Sequence, residues 1–190
     1  IDSTYRATTG RSGVDAPFLS NHDQNRVMSQ LDGNAQHMRM AAAMLLTLPG
    51  DPFIYYGEEI GMQGQKPDPD IRTPMRWHRA TNAPGETTWR AGHDDPAISV
   101  EAQQGDPDSL LNFYTRLIHW RSQVGALRDG RLTPYTVDNK QVVAYRLDDA
   151  SCHVLVAHNL SGTPQTITPD KTRSVLLQSQ PGVALRNGML

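Results

Sequence analysis

The order of apolar segments constrains this chain more than any other feature. Up to about residue 125, short apolar runs alternate with longer helical periods: PFLSN, then NAQHMRMAAAMLLTL, then PFIYYG, then, after a long loop, SLLNFYTRLIHWRSQV. Short runs bounded by turn residues predict strands, and the longer periodic segments predict helices. In the first helical segment Met38, Ala41, Ala42, Leu45 and Leu48 recur at spacings of three and four, one apolar stripe facing a sheet. Ahead of the second, Asp106 is positioned as N-cap with Pro107 at the first helical position, and Gly125 follows its last turn. Strand, helix, strand, helix in that order predicts parallel strands with helical crossovers.

After Gly125 the pattern changes to QVVAYRL, CHVLVAHNL, PQTIT and RSVLLQ, separated by clusters of Asp, Asn, Ser, Gly and Pro. These predict antiparallel strands. Two domains are therefore expected, 1–125 with βαβα order and 126–190 all-β. Neither an internal repeat nor a low-complexity tract is seen.

Composition excludes several classes of function. The 18 basic and 20 acidic residues are well mixed and give a formal charge of -2, which leaves no basic footprint for nucleic acid or an anionic membrane. No run approaches the roughly 18 apolar residues of a membrane span. Cys152 is the single cysteine, which rules out an internal disulfide framework or a Cys-rich zinc site, and its apolar run is expected to be a buried strand. The first residues, IDSTYRATTG, carry no initiator Met, basic n-region or apolar h-region, so a targeting segment is expected to have been removed or never included. The compartment is not legible.

The chemistry-bearing stretch is FLSNHDQNR, where Asn21, His22 and Asp23 follow an apolar strand directly. In parallel α/β folds the working residues sit at the carboxyl ends of strands. Asn and Asp there also satisfy loop amides as a capping turn, and position alone does not separate the two readings. A metal site is disfavoured, because consecutive strand residues face opposite ways and no further ligand lies at a recognisable spacing.

FLSNHD followed by Arg26 resembles the end of the seventh barrel strand in the alpha-amylase family of glycoside hydrolases, family 13. LPGDPFIYYGEEIGM resembles the eighth strand and its loop, and KPDPDIRTPMRW the next segment in oligo-1,6-glucosidases and related maltooligosaccharide-degrading members. DPDSLLNFYTRLIHWRS is similar to the last barrel helix, and the β-rich remainder to the small C-terminal domain. The likeness covers nearly the whole chain. It implies the C-terminal part of a (β/α)8 TIM barrel over 1–125, namely its last two βα units, followed by a small, incomplete antiparallel β-sandwich domain over 126–190.

The resemblance also implies roles. Asp23 matches the aspartate that holds the 2- and 3-hydroxyls of the sugar before the scissile bond, favouring the distorted ring of the transition state. His22 matches a histidine that hydrogen-bonds the same sugar, and Asn21 is expected to orient the loop. Arg72 matches an arginine that closes the pocket around the nonreducing sugar, its fork of donors suiting hydroxyls and a carboxylate together; the alternative is an ion pair with Asp68 or Asp70 in its own loop. Glu58 and Glu59 match positions that support the site rather than the catalytic acid. Tyr55, Tyr56, Trp77 and Trp89 invite a sugar-stacking role, although at least one of the two strand tyrosines is expected to fill the interior.

Nothing in the chain resembles the family segments around the nucleophilic aspartate of strand four or the acid/base glutamate of strand five, and the tail VALRNGML stops before the usual closing strand. The chain is therefore expected to be a carboxyl-terminal portion of a retaining α-glucan hydrolase, inactive alone. Its substrates would be α-1,4- or α-1,6-linked maltooligosaccharides, with no organic cofactor and any calcium bound outside this portion. Two alternatives stay open: a trehalose synthase-like isomerase, which has similar strand-eight and RTPM segments, and a non-catalytic family relative serving as a binding scaffold.

Overall fold

The computed structural model describes residues 14–90, 95–169 and 178. Two compact units are distinguished, one from residues 17–45 and 52–118 and one from the described parts of 1–16, 46–51 and 119–190.

In the first unit the two expected strands run parallel, joined at a single bridge between Phe18 and Phe53. The Phe53 N–H donates to the Pro17 carbonyl at 2.8 Å. The ladder is much shorter than the apolar runs predict. Pro17 and Pro52 have no N–H to give, which removes donors on both sides of the pair. No third strand flanks them among the described residues.

Helix α1 (Val27–Gln30) is a single turn, and α2 (Ala35–Thr47) is the expected long helix. Asn34 starts α2, its Oδ1 accepting from the N–H groups of Gln36 and His37 at 2.9 and 3.1 Å. Met38, Ala42 and Leu45 of the expected stripe are buried, as is Leu46, whereas Ala41 is only partly buried and Leu48 lies past the end of the helix, also partly buried. A 3-10 turn, Glu58–Ile60, follows the second parallel segment, and α3 (Asp68–Ile71) carries the next motif. Gly57 enters the 3-10 turn at φ 85°, where a Cβ would lie 2.3 Å from Met62 Sδ, so only glycine fits. Helix α4 (Val100–Gln103) is capped by Ser99, and α5 (Leu110–Gln123) places Phe113, Tyr114 and Leu117 in the core.

The cap of α5 differs from expectation. Ser109 Oγ accepts from the Asn112 N–H at 3.1 Å, whereas Asp106 Oδ1 accepts from Asp108 in a turn that comes first. Pro107 thus belongs to that turn. Gly125 does not terminate α5 either: it opens α6 (Gly125–Asp129) after the extended Val124.

The second unit holds α6 and one antiparallel sheet in the order β1 (Arg131–Pro134), β2 (Val142–Asp148), β3 (His153–Asn159). Tyr145 pairs with Val156 and Leu147 with Val154, and these side chains pack with Ala126, Leu127 and Leu132. Strand β1 had no signal of its own, being four residues long and ending on Pro134. PQTIT forms no strand, and RSVLLQ lies almost wholly outside the described residues. What is described of the expected sandwich is therefore a single three-stranded sheet. Cys152 precedes β3 rather than lying in it; it is half-buried against the same core.

A buried cation closes this unit. Arg121 donates to the carbonyls of Leu46, Leu48 and Leu127 at 3.0, 2.9 and 2.7 Å, and also to that of Gly50. The last carbonyls of a helix lack intrahelical partners, and a guanidinium satisfies several at once while complementing the helix dipole. Among the described residues no helix is long and apolar enough to cross a membrane.

Candidate active site

Ser20, two residues past the Phe18 bridge, is buried, and the chain then turns outward. Asn21 Oδ1 accepts from the Asp23 N–H at 2.9 Å, and the Gln24 N–H points to the Asn21 carbonyl at 3.3 Å. Asn21 thus spends its side chain inside the turn. That leaves the His22 and Asp23 side chains about two-thirds exposed, with His22 Nε2 3.3 Å from Asp23 Oδ2. The capping turn and the outward-facing carboxylate are properties of one geometry.

Arg72, at the end of α3, reaches this turn. Its Nε donates to the His22 carbonyl at 2.9 Å, and its Nη2 to Asp23 Oδ1 at 3.1 Å and Asp68 Oδ2 at 2.8 Å. The loop ion pair with Asp68 is present, and the same guanidinium also bonds the Asn21–Asp23 turn. Asp70 pairs instead with Arg90. Lys66 bonds the other oxygen of Asp68, and that bond, together with the Arg72 charge, holds the Asp68 carboxyl below its ordinary value.

Beneath the turn lies a residue that the sequence reading left as a motif marker. Arg26 is fully buried, and its guanidinium stands 4.6 Å from the Tyr55 ring and 4.7 Å from the Tyr56 ring. It donates to the Tyr56 carbonyl at 2.6 Å and the Thr73 carbonyl at 3.4 Å, while its own N–H donates to the Gly64 carbonyl at 2.9 Å. One side chain therefore ties FLSNHDQNR to PFIYYG and RTPM. The tyrosine hydroxyls continue the tie, donating to the carbonyls of Ile71 and Thr73 at 3.2 and 2.8 Å. Burial raises the Tyr55 phenol to about 12 and lowers Arg26 from its usual value. Gly64 also lets the 70–71 backbone pack close: a Cβ there would sit 2.4 Å from the Asp70 carbonyl oxygen. The signal for this node was an arginine three places after an exposed carboxylate, facing two consecutive tyrosines.

Glu58 is 1% exposed and accepts from Ser20 Oγ at 2.6 Å. Burial raises its carboxyl to about 7, against the opposing pull of the Ser20 hydrogen bond. Of the aromatics, Tyr55 and Tyr56 are committed to the Arg26 stack, whereas Trp77 and Trp89 are 51% and 65% exposed in the loop after RTPM. That loop is held by Glu86, whose Oε1 accepts from the Trp77 N–H at 2.9 Å and also bonds His78. No group of three or more His, Cys, Asp or Glu suited to a metal ion occurs among the described residues.

The arrangement presents a carboxylate, an imidazole and a guanidinium on one exposed turn, a set of donors and acceptors matched to vicinal hydroxyls. Asp23 and Asp68 share the Arg72 guanidinium, and Asp68 is also bonded by Lys66.

Comparison with known proteins gives the family. The family model for the alpha amylase catalytic domain matches residues 2–130. Alpha-amylase 3 of Dictyoglomus thermophilum is 37% identical over 156 residues, covering 80% of this chain and 31% of that protein. Probable oligo-1,6-glucosidase 2 of Bacillus subtilis is 30% identical over 193 residues, covering 78% and 34% respectively. The crystal structure of alpha-amylase from H. orenii superposes with a TM-score of 0.76 at 42% identity, over 84% of this chain and 33% of that one. The chain thus spans about a third of the length of each, and its parallel segments and helices correspond to part of a (β/α)8 barrel. On the family match over residues 2–130, this chain belongs to the alpha-amylase family of glycoside hydrolases and related enzymes.

Proposed function

We propose that this chain forms the carboxyl-terminal part of a retaining α-glucan hydrolase that cleaves α-1,4 or α-1,6 bonds in maltooligosaccharides. Residues 1–125 supply the last two βα units of the catalytic barrel and 126–190 the C-terminal β-domain. The observation that carries the reading is the junction of Asp23, the His22 backbone and Asp68 on the single Arg72 guanidinium. This places the two motifs that resemble the sugar-binding end of the barrel on one surface.

In a retaining mechanism a carboxylate attacks the anomeric carbon while a carboxylic acid about 5 to 5.5 Å away protonates the leaving oxygen, and water then reverses both steps. Those two groups are assigned to the remainder of the enzyme. Asp23 accepts from the sugar 2- and 3-hydroxyls, with hydrogen bonds that strengthen as positive charge develops at the ring, so its contribution appears in the transition state. His22 bonds the same sugar. Arg72 orients the Asp23 carboxylate and offers its remaining donors to the sugar, while Asn21 holds the turn. The reaction needs no organic cofactor, and any calcium belongs outside this chain.

The test is product analysis with the full-length protein on maltose, isomaltose and maltotriose. Glucose release with retention at the new anomeric centre is expected. Trehalose from maltose would instead establish the isomerase reading, which the RTPM segment also supports, and a folded protein with no turnover on any of them would establish a scaffold. The 190-residue chain alone is expected to match a buffer blank.

A further inference from the structure

Arg72 stands where its own helix cannot hold it. Helix α3 is a single turn, and Arg72 follows as its C-cap at φ -112° and ψ 25°. One turn of helix is unstable in isolation, and the last carbonyls of a helix lack intrahelical partners. The position of the Arg72 guanidinium therefore depends on outside contacts to the backbone around it. Burial of the Ile71 side chain anchors the turn from below, but the directional bonds come from elsewhere.

They come from two consecutive residues 16 and 17 positions earlier in the chain. The Tyr55 hydroxyl donates to the Ile71 carbonyl at 3.2 Å, directly before Arg72, and the Tyr56 hydroxyl donates to the Thr73 carbonyl at 2.8 Å, directly after it. The two rings meet edge to face with centroids 4.7 Å apart, and both face the guanidinium of Arg26, which itself bonds the Tyr56 carbonyl. The contacts close a circuit: three positions of chain join Asp23 to Arg26, Arg26 carries the tyrosines, the tyrosines grip residues 71 and 73, and Arg72 returns to Asp23 at 3.1 Å. Packing against Arg26 would be served by phenylalanine at both positions. The hydroxyls have a separate task.

We propose that Tyr55 and Tyr56 are positioning residues for Arg72, their hydroxyls fixing the backbone on both sides of it so that its guanidinium is held at the Asp23 turn. The inference rests on the assignment of Asp23 and Arg72 to the sugar and names what keeps the two in register. Arg72 divides its donors between a local partner, Asp68, and two distant ones, the His22 carbonyl and Asp23. If residues 71–73 shift, Asp68 moves with Arg72 as its neighbour on the same turn of chain, whereas His22 and Asp23 do not. The bonds lost are then those at the proposed sugar site.

The test uses the full-length protein and two readouts. Tyr55→Phe, Tyr56→Phe and the double variant keep the rings on Arg26 and remove only hydroxyls. The first readout is exchange of the Arg72 Nε–H with water, followed in nitrogen-15-labelled protein and assigned by its loss in Arg72→Lys; this group donates to the His22 carbonyl. Exchange roughly 10-fold faster in the double variant is expected, with the single variants between it and wild type. The second readout is kcat/KM on the glucan that the wild type cleaves, taken through a double-mutant cycle with Arg72→Ala. Loss of both hydroxyls is expected to lower it roughly 10-fold where Arg72 is present, the order of two ordinary hydrogen bonds, and less than about twofold where Arg72 is absent. Equal losses in the two backgrounds, as a merely structural pair would give, overturn the proposal. So does Nε–H exchange unchanged in the double variant. The exchange readout needs no turnover, so it decides this proposal even if the full-length protein cleaves no glucan, an outcome that would remove the function proposed above.

Discussion

Arg72 and Asp23 meet at 3.1 Å although 49 positions separate them in the chain. Both side chains are largely exposed, 40% and 64%, and exposed ion pairs contribute only about 0 to 1 kcal/mol to stability. Holding a carboxylate on an open turn is therefore not explained by folding energy. The proposed contact with the sugar hydroxyls would account for it.

Asp23→Asn tests this in the full-length protein. The amide keeps size and most hydrogen bonding but removes the charge. We expect kcat to fall roughly 10²-fold or more, about 2.7 kcal/mol, with KM nearly unchanged. The thermal midpoint should stay close to wild type. A lowered midpoint with a near wild-type kcat would reduce Asp23 to a loop cap.

Glu58 predicts a pH dependence of stability with an unusual sign. Its folded value, about 7, lies above the ordinary 4.5, so between these values the folded state binds the extra proton. Stability is thus fully present below about pH 4.5 and declines as pH rises toward 7, by about 3 kcal/mol, beyond which it levels off. Denaturant titrations of wild type and Glu58→Gln should diverge across that window and run parallel outside it.

His158 gives the opposite slope. It is 4% exposed, its Nε2 lies 3.1 Å from the Tyr145 hydroxyl, and that hydroxyl lies 2.7 Å from Thr47 Oγ1. Burial lowers the imidazole to about 4 from 6.5. Its contribution is complete above pH 6.5 and is lost as pH falls toward 4, again by about 3 kcal/mol. In His158→Gln the near-ultraviolet circular dichroism of the Tyr145 environment should become insensitive to pH over that range.

Arg121 serves four carbonyls from a buried position. Arg121→Ala leaves them without that donor, and a loss of about 3 kcal/mol or more is expected in urea unfolding. Arg121→Lys should recover only part, because one ammonium cannot spread over four acceptors. Equal stability of the alanine variant would show that water replaces the guanidinium at no cost.

Much of this molecule was legible from local pattern. The long helices followed from apolar spacing, since a stripe at three and four residues has one way to be buried, and Met38, Ala42 and Leu45 are buried accordingly. The parallel relation of the two apolar runs followed from their connection through a helix, and the family from three ordered motifs. Two caps were misplaced because Ser, Asp, Pro and Gly punctuate turns as readily as helices. Asp106 is 3.0 Å from the Ser109 N–H through its carbonyl, a turn that precedes the helix rather than starting it. Tertiary structure alone decided the supports of the site. Arg26 draws its partners from 30 and 47 positions away and Glu58 from 38, and no periodicity encodes such pairs. Burial makes those distant bonds obligatory, because a desolvated charge or carboxyl must find its compensation wherever the fold brings it, and that place exists only once the chain has folded.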